Sequence, residues 1–412
     1  MTGPAVASAS FGGRLTTGPA ADPSRLPGVS VGHASAADTG VTVVACPEGA
    51  VAAVDVRGGG PGTRETDLLE PHNTVREAHA IVLSGGSAFG LAAADGVMRG
   101  LAERGHGFGV TEEFPDVRVP IVPAAVIFDL LLGERDVPDA DMGRAALAAA
   151  LDGSEADTGS DAGSEADTGS DAGSGAGSDA GSNSGSDSGP GSGSGCVGAG
   201  TGAMAGAIKG GVGRAAVTLA DGSTVAAIVV ANPMGAVAGP DGRLWADPGR
   251  GAIPESALAA IGERFVGLTK VAVPKDAAGD GGDGAVGKLN TTIGCIVTDA
   301  ALTQDQAKRL AMAGHDGLAR AIRPAHLPMD GDTLFCLATG TFRAAGALEG
   351  EKDPAGPSAS DSVDPAVLAL LSAAAADAVE HAIVDAVTAA ESRAGVPSFT
   401  DLIQPGRAGH AG

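Results

Sequence analysis

Apolar residues in this chain gather in short aliphatic runs, each closed by glycine or polar turn residues. Ala80-Ile81-Val82-Leu83 is such a run, broken by the turn Ser84-Gly85-Gly86-Ser87, and it predicts a buried strand. Thr224 to Ala231 (TVAAIVVA), Thr269 to Val273, Thr292 to Thr298 and Leu334 to Thr339 read as strands in the same way. Other segments change period. After Ser87, Leu91, Ala94, Met98 and Leu101 fall on one helical stripe. Thr303 and Gln306 have capping-box spacing, and Ala307, Leu310, Gly314 and Leu318 give the helix behind them an apolar face. A last, Ala-rich helix is expected from about Pro365 to Ser392. Helices and hairpin-length gaps both separate the strands. Sheets covered by helices are therefore expected, and a pure bundle is not.

Composition sharpens this picture. The 412 residues suffice for two average domains or one large one, and a hydrophobic fraction of 43% is enough for a sizeable core. With no Tyr, one Trp and nine Phe, that core must be built from Ala, Val, Leu and Ile. One segment stands apart. Asp152 to Gly195 is almost wholly Gly, Ser, Asp, Ala, Glu and Thr, and GSEADTGSDA occurs twice, at 153–162 and 163–172. It carries nine acidic residues and no basic ones, too little apolar surface to offset ordering, so a disordered linker at 152–195 is expected. Residues 1–25 are expected to form a mobile tail.

The formal charge of −24 argues against nucleic acid and anionic membrane surfaces as partners. No apolar run reaches the roughly 18 residues of a membrane span, and the start of the chain lacks a basic, then apolar, secretory leader. A cytoplasmic location is the resulting expectation. Cys46, Cys196, Cys295 and Cys336 lie far apart without CxxC spacing, which points away from zinc or a disulfide framework and towards small core residues.

Most short motifs here have a structural reading that outweighs a functional one. Gly198-Ala-Gly200-Thr-Gly202 follows the linker instead of a strand and has Ala203 at the third glycine position, so a turn is expected in place of a dinucleotide site. Asp280-Gly-Gly-Asp283-Gly lacks alternating calcium ligands. The turn before Ser87 offers backbone N–H groups for an anion or for serine capping. The eight histidines match no metal or nucleophile spacing. The most informative place is Lys288-Leu-Asn290-Thr291-Thr292-Ile-Gly294. A loop with five glycines, Gly279 to Gly287, runs into Asn290-Thr291 and then a buried strand. A threonine there can attack its own preceding carbonyl, and the freed α-amine, of reference pKa about 7.7–8.0, can act as base for its hydroxyl.

At these residues the chain resembles the DmpA-type L-aminopeptidase/D-esterase family of self-processing hydrolases. The matching stretches are RGGGPGTRETDLLEP (57–71), NTVREAHAIVLSGGSAFGLAAADGVM (73–98), GAGTGAMAG (198–206), VVANPMG (229–235), NTTIGCIVTDA (290–300) and DGDTLFCLATG (330–340). The resemblance implies an α+β fold, a four-layer αββα sandwich, cut between Asn290 and Thr291 into an alpha subunit of residues 26–290 and a beta subunit of 291–412. It implies Thr291 as nucleophile, Asn232 as oxyanion donor, and Asp330 and Asp332 as an acidic pair. Asp332 would hold the α-ammonium of Thr291 or of the substrate. It also implies an amide or ester substrate bearing an amine, no cofactor and no metal, and a tetramer-like homo-oligomer of processed heterodimers. Acyl transfer through the same acyl-enzyme, or ligand binding without chemistry, are the alternatives. Two departures stand out. Members of the family carry a hydroxyl residue where this chain has Asp330, and a tyrosine near the oxyanion where this chain has the apolar stretch Pro123 to Asp129.

Overall fold

The computed structural model describes residues 13–133, 135–152, 156–157, 193–263, 265–270, 290–342 and 362–404. The loop Gly279–Gly287, the Asp280–Gly284 run, nearly all of the 152–195 linker and residues 1–12 of the tail lie outside these residues. The strands are β1 (Arg14–Thr17), β2 (Ser30–Ser35), β3 (Gly40–Val56), β4 (Thr63–Arg64), β5 (Glu77–Ser84), β6 (Ala124–Val126), β7 (Val212–Thr218), β8 (Thr224–Val230), β9 (Ile293–Thr298) and β10 (Thr333–Ala338). The helices are α1 (Ala93–Glu103), α2 (Ala140–Asp152), α3 (Glu255–Gly262), α4 (Gln304–Ala321), α5 (Pro365–Thr388) and α6 (Phe399–Ile403).

Hydrogen bonding runs without a break along β1-β7-β8-β9-β10-β3-β5-β6-β4, with β2 also on β3. The 17-residue β3 makes this possible. Its second half pairs with β10 and its first half with β2 and β5, with a bulge between Ala45 and Ala50. A bulge bends a strand and increases its twist. One strand thus serves two sheet halves, which lie face to face.

Period-2 alternation sorts the side chains into three cores. Val225, Ala227 and Val229 of β8 and Leu334 and Cys336 of β10 face α4 and α5. Their neighbours Ala226, Ile228, Phe335 and Leu337 face Val44, Val54, Ile81 and Leu83 of the other half. Val41, Val43, Ala80 and Val82 face α1 and α2. The order is helix, sheet, sheet, helix, as the resemblance implied. Helices approach closely where glycine permits: a Cβ on Gly213 of β7 would sit 1.9 Å from the Ala382 carbonyl of α5, and one on Gly317 of α4 1.9 Å from that of Ala376.

Local expectations mostly hold. Thr303 N–H donates to Gln306 Oε1 at the start of α4, and Cys46, Cys295 and Cys336 are buried small residues, their thiols pushed up by desolvation, to about 12 for Cys46 and Cys336. Gly198–Gly200 is a tight turn with Gly198 at φ 48°. Three differences appear. The helix after Ser87 begins as a 3-10 segment, Ser87–Ala92, so Leu91 precedes α1. Thr269 and Lys270 are not in a strand, and residues 271–273 lie outside the described residues. The expectation that no segment is long and apolar enough to cross a membrane is corrected by α5, whose 24 residues pass that test. Alanine-rich composition explains it, because α5 must pack along α4, β7 and β8 at once, and eleven of its residues are buried there.

Candidate active site

Register brings the candidate residues to one end of the sheet. Val230 at the end of β8 pairs with Ile293 at the start of β9, and Ile293 with Thr333 at the start of β10. Thr333 in turn opposes Val56 at the end of β3. The segments just beyond these four positions therefore meet: Asn232, Asn290-Thr291, Asp330 to Asp332, and the loop Arg57 to Gly60. All of the sequence-predicted site residues are brought together, and all are at least 95% buried.

Thr291 lies at the centre. Its hydroxyl donates to the Asn290 carbonyl oxygen at 2.5 Å, and its N–H donates to the Asn232 carbonyl at 3.0 Å. The same Asn290 oxygen accepts the Gly331 N–H at 2.9 Å. The peptide bond expected to be cut thus carries a nucleophile beside it and a donor on its oxygen. Gly331 has to be glycine here, since a Cβ would lie 2.7 Å from Thr291 Oγ1. The triple glycine supports this turn from behind. Gly60 N–H donates to the Asp330 carbonyl at 2.8 Å, and a Cβ on Gly58 would sit 2.2 Å from that oxygen.

The two aspartates have different partners. Asp332 Oδ1 accepts the Thr292 N–H at 2.8 Å, while Oδ2 accepts the His326 N–H at 3.0 Å and lies 2.9 Å from His326 Nδ1. Asp330 accepts N–H groups from Met234 (3.1 Å) and Leu327 (3.2 Å). Burial, and then the Asp332 charge, push its carboxyl up to about 6. Asn232 Nδ2 donates to Phe128 O at 3.1 Å, and its Oδ1 accepts from Met204 N–H at 2.9 Å. Phe128 belongs to the apolar stretch Pro123 to Asp129.

Three participants escaped sequence reasoning. Lys270 Nζ donates to Asn290 Oδ1 at 2.7 Å, Asn232 Oδ1 at 2.9 Å and Asn232 O at 3.3 Å. Burial brings its ammonium down to about 7, against a smaller opposing pull from Asp330. Its only signal was a single charge inside an apolar segment. His326, taken as an ordinary histidine, orients Asp332. Lys209 is wholly buried behind the site and donates to the carbonyls of Gly200, Ala203 and Gly210, so the glycine run of 198–202 is tied to it. The anion offered to the turn before Ser87 proves to be the chain's own: Gly86 N–H donates to Asp129 Oδ1 at 2.7 Å. No metal-ligand cluster occurs among the described residues.

Comparison with known proteins gives the family and the fold. The profile of peptidase family S58 matches residues 25–399. A protein named as an uncharacterized aminopeptidase in Mycobacterium tuberculosis is 42% identical over 396 residues, covering 93% of this chain and 97% of that one. A 6-aminohexanoate-oligomer endohydrolase of Paenarthrobacter ureafaciens is 30% identical over 321 residues, 76% of this chain and 74% of that one. Among solved structures, a beta-aminopeptidase of Burkholderia sp. superposes with TM-score 0.57 at 23% identity, covering 97% of both chains. The L-aminopeptidase D-Ala-esterase/amidase of Ochrobactrum anthropi, described as a variant of the Ntn hydrolase fold, gives 0.54 at 20% identity, over 93% of this chain and 90% of that one.

Proposed function

The chain belongs to peptidase family S58 and is a hydrolase, and from that premise we propose that it cuts itself between Asn290 and Thr291 and then hydrolyses amide or ester bonds of small amine-bearing substrates with Thr291 as nucleophile. The observation that carries this reading is the contact of Thr291 Oγ1 with the Asn290 carbonyl, whose oxygen is also bound by Gly331 N–H.

In the first reaction Oγ1 bonds to the Asn290 carbonyl carbon while the hydroxyl proton passes to the peptide nitrogen. The C–N bond breaks, leaving an ester on Oγ1 and a free α-amine on Thr291. Water then hydrolyses the ester to the Asn290 carboxyl and the Thr291 hydroxyl. In turnover the α-amine takes the hydroxyl proton as Oγ1 attacks a substrate carbonyl, gives it to the departing amine or alcohol, and activates water to release the acyl group. Gly331 N–H supplies one donor to the developing oxyanion. An amide nitrogen has two hydrogens and Asn232 commits one to Phe128, so the other is available as a second donor. Asp332 steadies the start of β9 through Thr292 N–H, directly after the nucleophile.

Intact-mass spectrometry of purified protein tests this. Two fragments with masses set by cleavage at Asn290–Thr291 are expected. Thr291→Ala should remain one inactive chain, whereas Thr291→Ser, keeping the hydroxyl, should still cut itself. A wild-type chain that stays whole yet turns over substrate would refute the mechanism.

A further inference from the structure

In the uncut chain Asn290 is the acyl half of the bond that Thr291 attacks, and contacts beyond the one from Thr291 hold it. Its N–H donates to Met329 O at 3.3 Å, its carbonyl oxygen accepts from Gly331 N–H at 2.9 Å, and its side-chain Oδ1 accepts from Lys270 Nζ at 2.7 Å. Self-cleavage and substrate turnover both pass through an ester on the same Oγ1, with the ester carbonyl oxygen directed to the same donor. The substrate acyl group must therefore occupy the place of Asn290, and its side chain the place of the Asn290 side chain.

Lys270 remains when Asn290 leaves. An ammonium has three hydrogens. Asn232 O and Oδ1, which do not depart, take two, and Asn290 Oδ1 takes the third. Lys270 is part-buried, and leaving such a donor unpaired is costly, a charged one more so. Its acceptors among the described residues are neutral amide oxygens, and no anion of the described residues contacts the lysine directly. On this basis we infer that Lys270 is a specificity residue, selecting acyl groups that carry a carboxamide or carboxylate two carbons from the reacting carbonyl, as in asparaginyl and aspartyl amides. Such a group puts an oxygen where Asn290 Oδ1 sat, and its α-amine donates to Met329 O as the Asn290 N–H did. A carboxylate also supplies the missing counter-ion. The depressed ammonium of Lys270, at about 7, agrees with a site short of negative charge.

This inference rests on the proposed hydrolase mechanism, and the test separates the two. Processed wild-type protein is assayed with the p-nitroanilides of aspartate, asparagine, alanine and leucine. The aspartyl and asparaginyl substrates should exceed the alanyl one in kcat/KM by about tenfold or more, the scale of one charge-assisted hydrogen bond. In Lys270→Met that ratio should collapse towards one, a change that a general loss of packing would not produce. If Lys270→Met does not fold or does not cut itself, the wild-type ranking alone decides. A cut protein that hydrolyses the alanyl or leucyl anilide as well as the other two overturns this inference and leaves the hydrolase mechanism intact. A protein inert to every anilide overturns both.

Discussion

The carbonyl oxygen of Asn290, at the bond proposed to be cut, has two donors, one from Thr291 and one from Gly331, and Asn290 and Thr291 are both buried. At that spot single substitutions have specific consequences. Asn232→Ala should lower turnover by ~10²–10³, the scale of one lost oxyanion donor, with the far-ultraviolet circular dichroism unchanged. A folded, fully active variant would reduce Asn232 to a structural role. Asp330 predicts a pH limb. Its folded value, about 6, lies above the usual carboxylate value of about 3.9. The folded chain then binds the proton more tightly than the unfolded one, so the contribution of Asp330 to stability is fully present below about pH 4 and is lost as pH rises through about 6. Function runs the other way. The ionised carboxylate accepts from Met234 and Leu327, and protonation turns one of its oxygens into a donor facing an N–H. Turnover should fall below about pH 6 in a pH–rate profile, and Asp330→Asn should flatten that limb at a lower plateau. An unchanged limb in Asp330→Asn would assign it to another group.

At the level of elements, strand ends do the assembling. β8 and β3 end, and β9 and β10 begin, at the same edge, and the short segments beyond these termini carry Asn232, Thr291, Asp330 and the triple glycine. Helices pack closely on the sheet halves and on each other where glycine lets backbone meet backbone. Where α4 meets α5, Gly317 leaves no room for a side chain. Gly317→Ala would force the helices apart and should cost about 1–3 kcal/mol, as overpacking does. A drop in Tm of several degrees is the expected reading, with self-cleavage retained because the site lies on other elements. An unchanged Tm would mean that the pair tolerates separation.

Across the whole molecule, the three cores are carried by the segments on either side of 152–195, and that stretch contributes only small and acidic residues. Replacing residues 158–192 by a short Gly-Ser linker should leave Tm and turnover within error, since loop length enters closure entropy only logarithmically. Lost solubility or activity would give the stretch a role of its own. The sequence by itself determined a good deal here. Apolar runs located β5, β8, β9 and β10, helical spacing located α4 and α5, and the Asn290-Thr291 junction marked the candidate nucleophile, because strand and helix periods and local chemistry are written in neighbouring residues. The sequence was silent on Lys270, His326 and Gly331, and the strand it suggested at Thr269 and Lys270 does not form there. Lys270, His326 and Gly331 act through partners 6 to 41 positions away, and only β-register and the bend in β3 bring them within reach. Whether a part-buried lysine meets an amide oxygen, or a backbone N–H meets the Asn290 carbonyl, depends on how chain-distant groups are set against one another. That is a property of packing, and the tertiary structure alone decided it.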